Sequence, residues 1–310
     1  MRTGGRRTQS QRPACRDCSG HPASLGRVTG VSEGMRAAPA TPLRPYLGPY
    51  EGYRLVGYGP GLHLGTPAPE VTVVLSLDAP VVITTTSHPD QSEGSWGALA
   101  SGLATTAVTI AHDGNQHGIQ LALTPAGSRA LLGVPSAALG AWIVDLGDVL
   151  GSDTTELVDR IAAEPLWPRR FAILDEILRR RASGGESSID PHLQRAWHLL
   201  TGPDAPRVTD VARDVGWSRR HLITRFTAEY GIGPKDAMRV ARFDRSKRLQ
   251  RRSPGMTLAA VAAHCGFADQ SHLAREWRSL AGVPPSTWRA DEQFPLVQDA
   301  DDLQRASSRA

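Results

Sequence analysis

The sequence predicts an α+β chain of two parts, a β-rich domain with flanking helices and then an all-α domain built from a repeated helical unit. Three observations carry this. Between Tyr46 and Leu123, short β-branched runs alternate with Gly, Pro and Asp. Beyond Gly151 the apolar residues recur at helical spacing. A stretch near the C-terminus then matches itself 50 residues later. The length of 310 residues suits about two domains.

Residues 1–44 are rich in Arg, Gly, Ser and Pro without an apolar period, which predicts a disordered basic leader, and Met35 is a candidate start. Residues 45–150 form the expected β-rich domain, with strands at Tyr53–Tyr58, Val71–Leu77, Val81–Thr86, Thr105–Ala111 and Gly118–Leu123. Thr124-Pro125 reads as a helix cap followed by a first-turn proline. Residues 151–186 form a helical segment and linker. Asp153 and Glu156 read there as a capping arrangement, Phe171, Leu174 and Leu178 as an inward stripe, and Arg179, Arg180 and Arg181 as last-turn cations. Ser183–Ser188 is the best linker. Residues 187–290 read as helices joined by short turns, and residues 291–310 as an acidic disordered tail.

Charge is distributed unevenly. The formal total is +4, while residues 35–206 sum to −6 and residues 207–289 to +9. A basic block of that size is a candidate footprint for nucleic acid. No run of about 18 apolar residues is present, so no membrane span is expected. The basic N-terminus lacks an apolar core, which argues against a secretory signal. Three cysteines, Cys15, Cys18 and Cys265, make no disulfide framework and fit a reducing cytoplasm.

In the repeat, Val211, Ala212, Val215, Gly216 and Trp217 return as Val261, Ala262, Cys265, Gly266 and Phe267. After one inserted residue, Leu222, Phe226, Gly231 and Pro234 return as Leu273, Trp277, Gly282 and Pro285. Each copy reads as a short capped helix (Thr209, Thr257), a glycine turn and a second helix, capped in the first copy by Ser218. That is a tandem helix-turn-helix, whose second helices are shaped to enter a major groove. Their outward faces carry Arg220, Ile223, Thr224 and Thr227, and Gln270, Ser271, Ala274, Arg275 and Arg278. Arg220 and Arg275 suit guanine, Gln270 adenine, and Ile223 and Thr224 a thymine methyl. Between the copies, Arg239, Arg242, Arg245, Lys247, Arg248, Arg251 and Arg252 lie on a long helix, several of them expected at phosphates and others solvated.

These residues resemble the AraC/XylS transcription regulators over roughly Asp190 to Arg289. The marks are Val211-Ala212, Gly216, Ser218, Leu222, Phe226, Gly231 and Pro234, then Gly266–Leu273, Trp277 and Gly282–Arg289. The resemblance implies two modules joined by a long helix, each reading one of two adjacent major-groove segments of double-stranded operator DNA. It places Arg220, Ile223, Thr224, Gln270, Ser271 and Arg275 at bases, with Ser218, Arg219 and Arg278 also at the DNA. It further implies a β-rich, cupin-like sensor or dimerisation domain in front, hence an unknown small-molecule effector, a homodimer and RNA polymerase as partners.

Other constellations are weaker. Cys15, Cys18 and His21 have metal-ligand spacing, and the stretch around the two cysteines superficially resembles part of a methylated-DNA repair regulator, but a structural site wants four ligands and a repair cysteine besides, and only two cysteines occur in this region. His63, His88, His112 and His117 lack the His-x-His pair of a cupin metal site and read as isolated histidines on loops and strand ends. Neither a metal nor another cofactor is expected, nor a catalytic residue. An enzyme acting through the β-rich domain is the alternative from another class. Cys265 shares the register of Val215 and reads as core.

Overall fold

The structure, a computed structural model, describes residues 30–184 and 188–291. Two antiparallel sheets build its front half. The strands are β1 (Val31–Ala37), β2 (Tyr50–Val56), β3 (Gly61–Gly65), β4 (Val71–Ser76), β5 (Val81–Thr85), β6 (Gly94–Trp96), β7 (Ala98–Ser101), β8 (Val108–His112), β9 (Gln116–Leu123) and β10 (Ile143–Asp145). The larger sheet runs β1-β2-β9-β4-β7-β10 and the smaller β3-β8-β5-β6. Alternation along each strand decides what its faces meet. Val71, Val73 and Leu75 with Ile119, Leu121 and Leu123 pack into a core with helical residues such as Phe171 and Leu174. The intervening Thr72, Val74, Gln116 and Gln120 line a cavity whose other wall is the smaller sheet.

Helices α1 (Pro125–Gly127), α2 (Ser136–Leu139), α3 (Leu146–Leu150), α4 (Ser152–Ala163) and α5 (Trp167–Gly184) complete this half. The second half is helical: α6 (Pro191–Thr201), α7 (Val208–Asp214), α8 (Arg219–Tyr230), α9 (Pro234–Arg252), α10 (Leu258–His264), α11 (Gln270–Ala281) and α12 (Pro285–Asp291). The α+β arrangement expected from the sequence is therefore present, and none of these helices is long and apolar enough to cross a membrane.

Several expectations need correction. Residues 31–44, assigned to a disordered leader, form β1 and a tight turn that buries Leu43. Pairing with β2 along the whole strand, from Val31 opposite Val56 to Ala37 opposite Tyr50, orders a segment whose composition does not. Met35 lies inside that strand. Five of the strands, β1, β3, β6, β7 and β10, went unpredicted; most are short, and β3 begins and ends in glycine. Asp153 does not cap α4, which Gly151 precedes. Its carboxylate instead holds Arg181 at 2.7 Å and Arg180 at 3.3 Å, fastening α4 to α5. Thr124 does cap, its Oγ1 accepting from the Gly127 amide at 3.0 Å. Cys15, Cys18, His21, residues 185–187 of the linker and residues 292–310 of the tail lie outside the described residues.

The halves are joined in two ways. The first helical module shares the main apolar core with the β domain, since Val211, Phe226 and Tyr230 belong to the same cluster as Leu131 and Leu139. Arg129 reinforces this joint by gripping Glu229 at the end of α8 with two bonds of 2.7 Å. The second module has its own core around Trp277, Phe243 and Trp288, against which Leu64 of β3 packs. Its other contact with the β domain is polar, while Ala237 and Met238 at the start of α9 join the main core. On α9, Lys247 is 2% exposed, donates to Thr66 Oγ1 at 3.0 Å and lies 3.4 Å from Asp244. Arg248 bridges Asp244 at 2.6 Å and Glu70 at 3.3 Å. Burial pushes the Lys247 ammonium below its ordinary pKa, opposed by Asp244.

Removing one partner of such a buried pair leaves an uncompensated charge. Asp244→Ala is expected to lower unfolding stability by about 3–5 kcal/mol in urea titrations. A loss below about 1 kcal/mol, the range of exposed pairs, would show that water already solvates the cluster.

Candidate nucleic-acid interface and ligand chamber

Each helical module is a short helix, a glycine turn and a longer helix, α7–α8 and α10–α11. Gly216 and Gly266 sit at φ 72° and 75°, the left-handed backbone that lets each chain reverse without a Cβ clash. The longer helices are capped, α8 by Ser218 Oγ accepting from His221 at 3.2 Å and α11 by Asp269 accepting from His272 at 2.6 Å. Thr257 caps α10 at 3.2 Å. Thr209, the expected cap of the first copy, lies inside α7; the preceding residue there is Arg207, which makes no side-chain cap. The 50-residue register had placed the cap at 207 all along, because 207 is the counterpart of Thr257.

Leu222 and Phe226, like Leu273 and Trp277, point into the core. Ser218, Arg219, Arg220 and Thr224 are exposed on one recognition helix, and Gln270, Ser271, Arg275 and Arg278 on the other. Ile223 is half-buried against the main core, so its side chain is shared between packing and surface.

The joining helix differs from its sequence reading. Arg239 holds Glu276 at 2.9 Å and Asp236 at 3.1 Å, and Arg245 donates to the Thr201 carbonyl at 2.8 Å. Arg242 lies over the Phe267 ring and Arg251 over the Trp288 ring. With Lys247 and Arg248 bound inside the domain joint, much of the basic character of α9 serves packing and orientation.

The second site is the space between the two sheets, a cavity of about 120 Å³. Its walls include Val74, Val81, Ile83, Leu99, Val108 and Ile110, with Tyr53, Gln116 and Gln120 adding polar groups. Thr66 and Glu70 stand on its rim, the same residues that hold Lys247 and Arg248. His63 lines it from the body of β3 rather than from a loop, 5.6 Å from the ring of His112. No group of three or more His, Cys, Asp or Glu suited to a metal occurs among the described residues. Tyr53, Gln116 and Gln120 were not singled out from the sequence, although the polar residues alternating with Ile119 and Leu121 were a readable signal.

Burial, followed by the neighbouring His112, lowers the His63 pKa from 6.5 to about 4. The unfolded chain thus takes up a proton that the folded one refuses between about pH 6.5 and 4. Stability from this group is complete above that window and falls as pH drops through it, by about 3 kcal/mol. Urea midpoints of the wild type minus those of His63→Leu are expected to decline across this window, and a flat difference would contradict the assignment.

The sequence profile of a helix-turn-helix domain matches residues 211–291. An HTH-type transcriptional regulator of Bacillus subtilis (strain 168), YbfI, is 35% identical over 66 residues, 21% of this chain and 23% of its own length. An AraC-like transcription regulator of Streptomyces lividans is 32% identical over 88 residues, 28% of this chain and 29% of its own. The chain therefore matches under a third of either relative. ToxT from Vibrio cholerae is similar in structure with a TM-score of 0.48 at 11% identity, over 78% of this chain and 97% of that one.

Proposed function

We propose, for a chain whose C-terminal third is an AraC-type helix-turn-helix domain, that the whole protein is a one-component transcription regulator that binds specific operator DNA and responds to a small molecule held by its front domain. The observation that carries this reading is the pair of capped recognition helices, α8 and α11, presenting polar, arginine-bearing faces in the same register of two copies. Arg220 and Thr224 meet base edges in one groove segment and Gln270, Ser271 and Arg275 in the next. Ser218, Arg219 and Arg278 stand beside them at the backbone, and Ile223 contributes what its packing leaves exposed. A second copy of the chain and RNA polymerase are the further partners, in the cytoplasm.

Selection of genomic fragments by the purified protein, with and without metabolite extract, tests the reading directly. Recovery of one recurring sequence supports it, and indiscriminate recovery overturns it. On such a fragment, log affinity is expected to fall against log salt with a slope of about −5 to −9, for about six to ten neutralised phosphates.

Arg275→Ala is expected to cost about 1–3 kcal/mol and to relax preference at one base position, which a mutated-operator series reads out. Arg220→Ala should do so at a different position, in the other half of the site. Equal loss on every sequence would reassign either residue to phosphate.

A further inference from the structure

We propose that the chamber between the two sheets takes a neutral, mainly apolar molecule about the size of a substituted benzene ring, whose single hydrogen-bonding group is received by Tyr53 with Gln116 and Gln120. This rests on the reading of the front domain as a sensor and names the chemistry of what it senses.

Size comes first. A cavity of about 120 Å³ is close to the ~150 Å³ engineered cavity that holds benzene. The walls are mainly aliphatic on both sheets, Val74 and Leu99 facing Val81, Ile83, Val108 and Ile110, with the small hydroxyls of Thr72, Ser101 and Thr106 among them. Charge comes next. Among the lining residues Glu70 is the one carboxylate, and Arg248 occupies it at 3.3 Å from outside the chamber. Neither Lys nor Arg lines the space, and His63 is held neutral at physiological pH by its burial. A charged ligand would give up its hydration with no opposite charge to meet.

The polar end is specific. Tyr53 is 6% exposed and lines the chamber. Its hydroxyl has no hydrogen-bond partner among the described residues, and burial alone raises its pKa. Buried phenols ordinarily find a partner, so an unmatched one opening on a cavity marks where a ligand group belongs. Across from it on β9 stands Gly118, at which a Cβ would come within 2.7 Å of the Tyr53 hydroxyl oxygen and 2.6 Å of the Leu75 carbonyl oxygen. The glycine gives the phenol its place over the strand, between Gln116 and Gln120, which line the same chamber.

The test is calorimetric titration of the full chain with phenol, toluene, benzoate and benzylammonium as probes. Phenol is expected to bind, with benzoate and benzylammonium at least tenfold weaker. Tyr53→Phe should weaken phenol about three- to tenfold and leave toluene unchanged. Should that variant not fold, Gln120→Met removes a partner from the opposite strand and carries the same expectation. Ile83→Trp, which fills the space, should abolish both ligands while the circular dichroism spectrum is retained. Tighter binding of either charged probe, binding indifferent to both polar substitutions, or no binding of any probe overturns the assignment. A protein that fails here yet selects an operator leaves the regulator reading standing. One that binds phenol as described but selects no DNA overturns that reading instead.

Discussion

Helix α9 has to bury a lysine. Lys247 sits almost wholly out of water on the helix that links the two modules, and a charge in that position is tolerated only with partners on several sides. Asp244 supplies one from the same helix, Thr66 another from the β domain, and Arg248 extends the cluster to Glu70. These contacts are directional, unlike an apolar surface, so they fix the rotation of α9 as well as its proximity. The same side of the helix, one and two turns before Lys247, carries Phe243 and Val240 into the core of the second module. Ser246 completes that side, its hydroxyl donating to the Phe243 carbonyl at 2.7 Å and accepting from the indole of Trp277 at 2.9 Å. Through Ser246 and Phe243, α9 thus seats Trp277 of α11.

The two modules are consequently held by joints of different character. The first is continuous with the core of the β domain and can separate from it only by exposing apolar surface. The second meets the β domain through Leu64 and the ionic cluster, which depend on the segment from β3 to Glu70, while Ala237 and Met238 tie the start of α9 to the main core. That segment also forms the rim of the chamber. Thr66 and Glu70 thus stand with one side toward the enclosed space and the other toward α9. A change of geometry at the rim meets the joining helix directly, with no intervening layer of side chains to absorb it.

How much of this the sequence disclosed depended on whether a signal was local. The helix-turn-helix units were legible because two copies specify each other: Gly216 with Gly266, Leu222 with Leu273, Phe226 with Trp277. Even the misplaced cap at Thr209 was correctable from that register. The longer alternating strands, β4 and β9, were legible for the same reason, a period of two over several residues. What escaped was tertiary. Strand β1 has no strand-like composition and exists because β2 offers it a full edge. Lys247 reads as a solvated cation on a basic helix until Thr66, 181 residues away, is brought to 3.0 Å from it. Tyr53 with Gln116 and Gln120 becomes a site only once a second sheet closes over a face that would otherwise be taken for solvent-exposed.

The same distinction changes the meaning of the basic block. Its net +9 over residues 207–289 is a property of composition, while the field that a polyanion would meet is a property of placement. Arg248 is matched by Glu70 and Arg225 by Asp190, acids that lie outside the block and subtract from its apparent charge. Arg239 is matched within it by Glu276 and Asp236, and Lys247 is shut away from water. By contrast Arg219 and Arg220 on α8 and Arg275 and Arg278 on α11 remain on the exposed faces. The positive charge available to a polyanion is thus smaller than the sequence total, and besides α8 and α11 it includes the exposed Arg207 and Lys235. An evenly basic surface would hold a polyanion in any register, whereas in the DNA-binding role proposed above the charge on the two recognition-helix faces would tie part of the attraction to the geometry in which both reach the grooves at once.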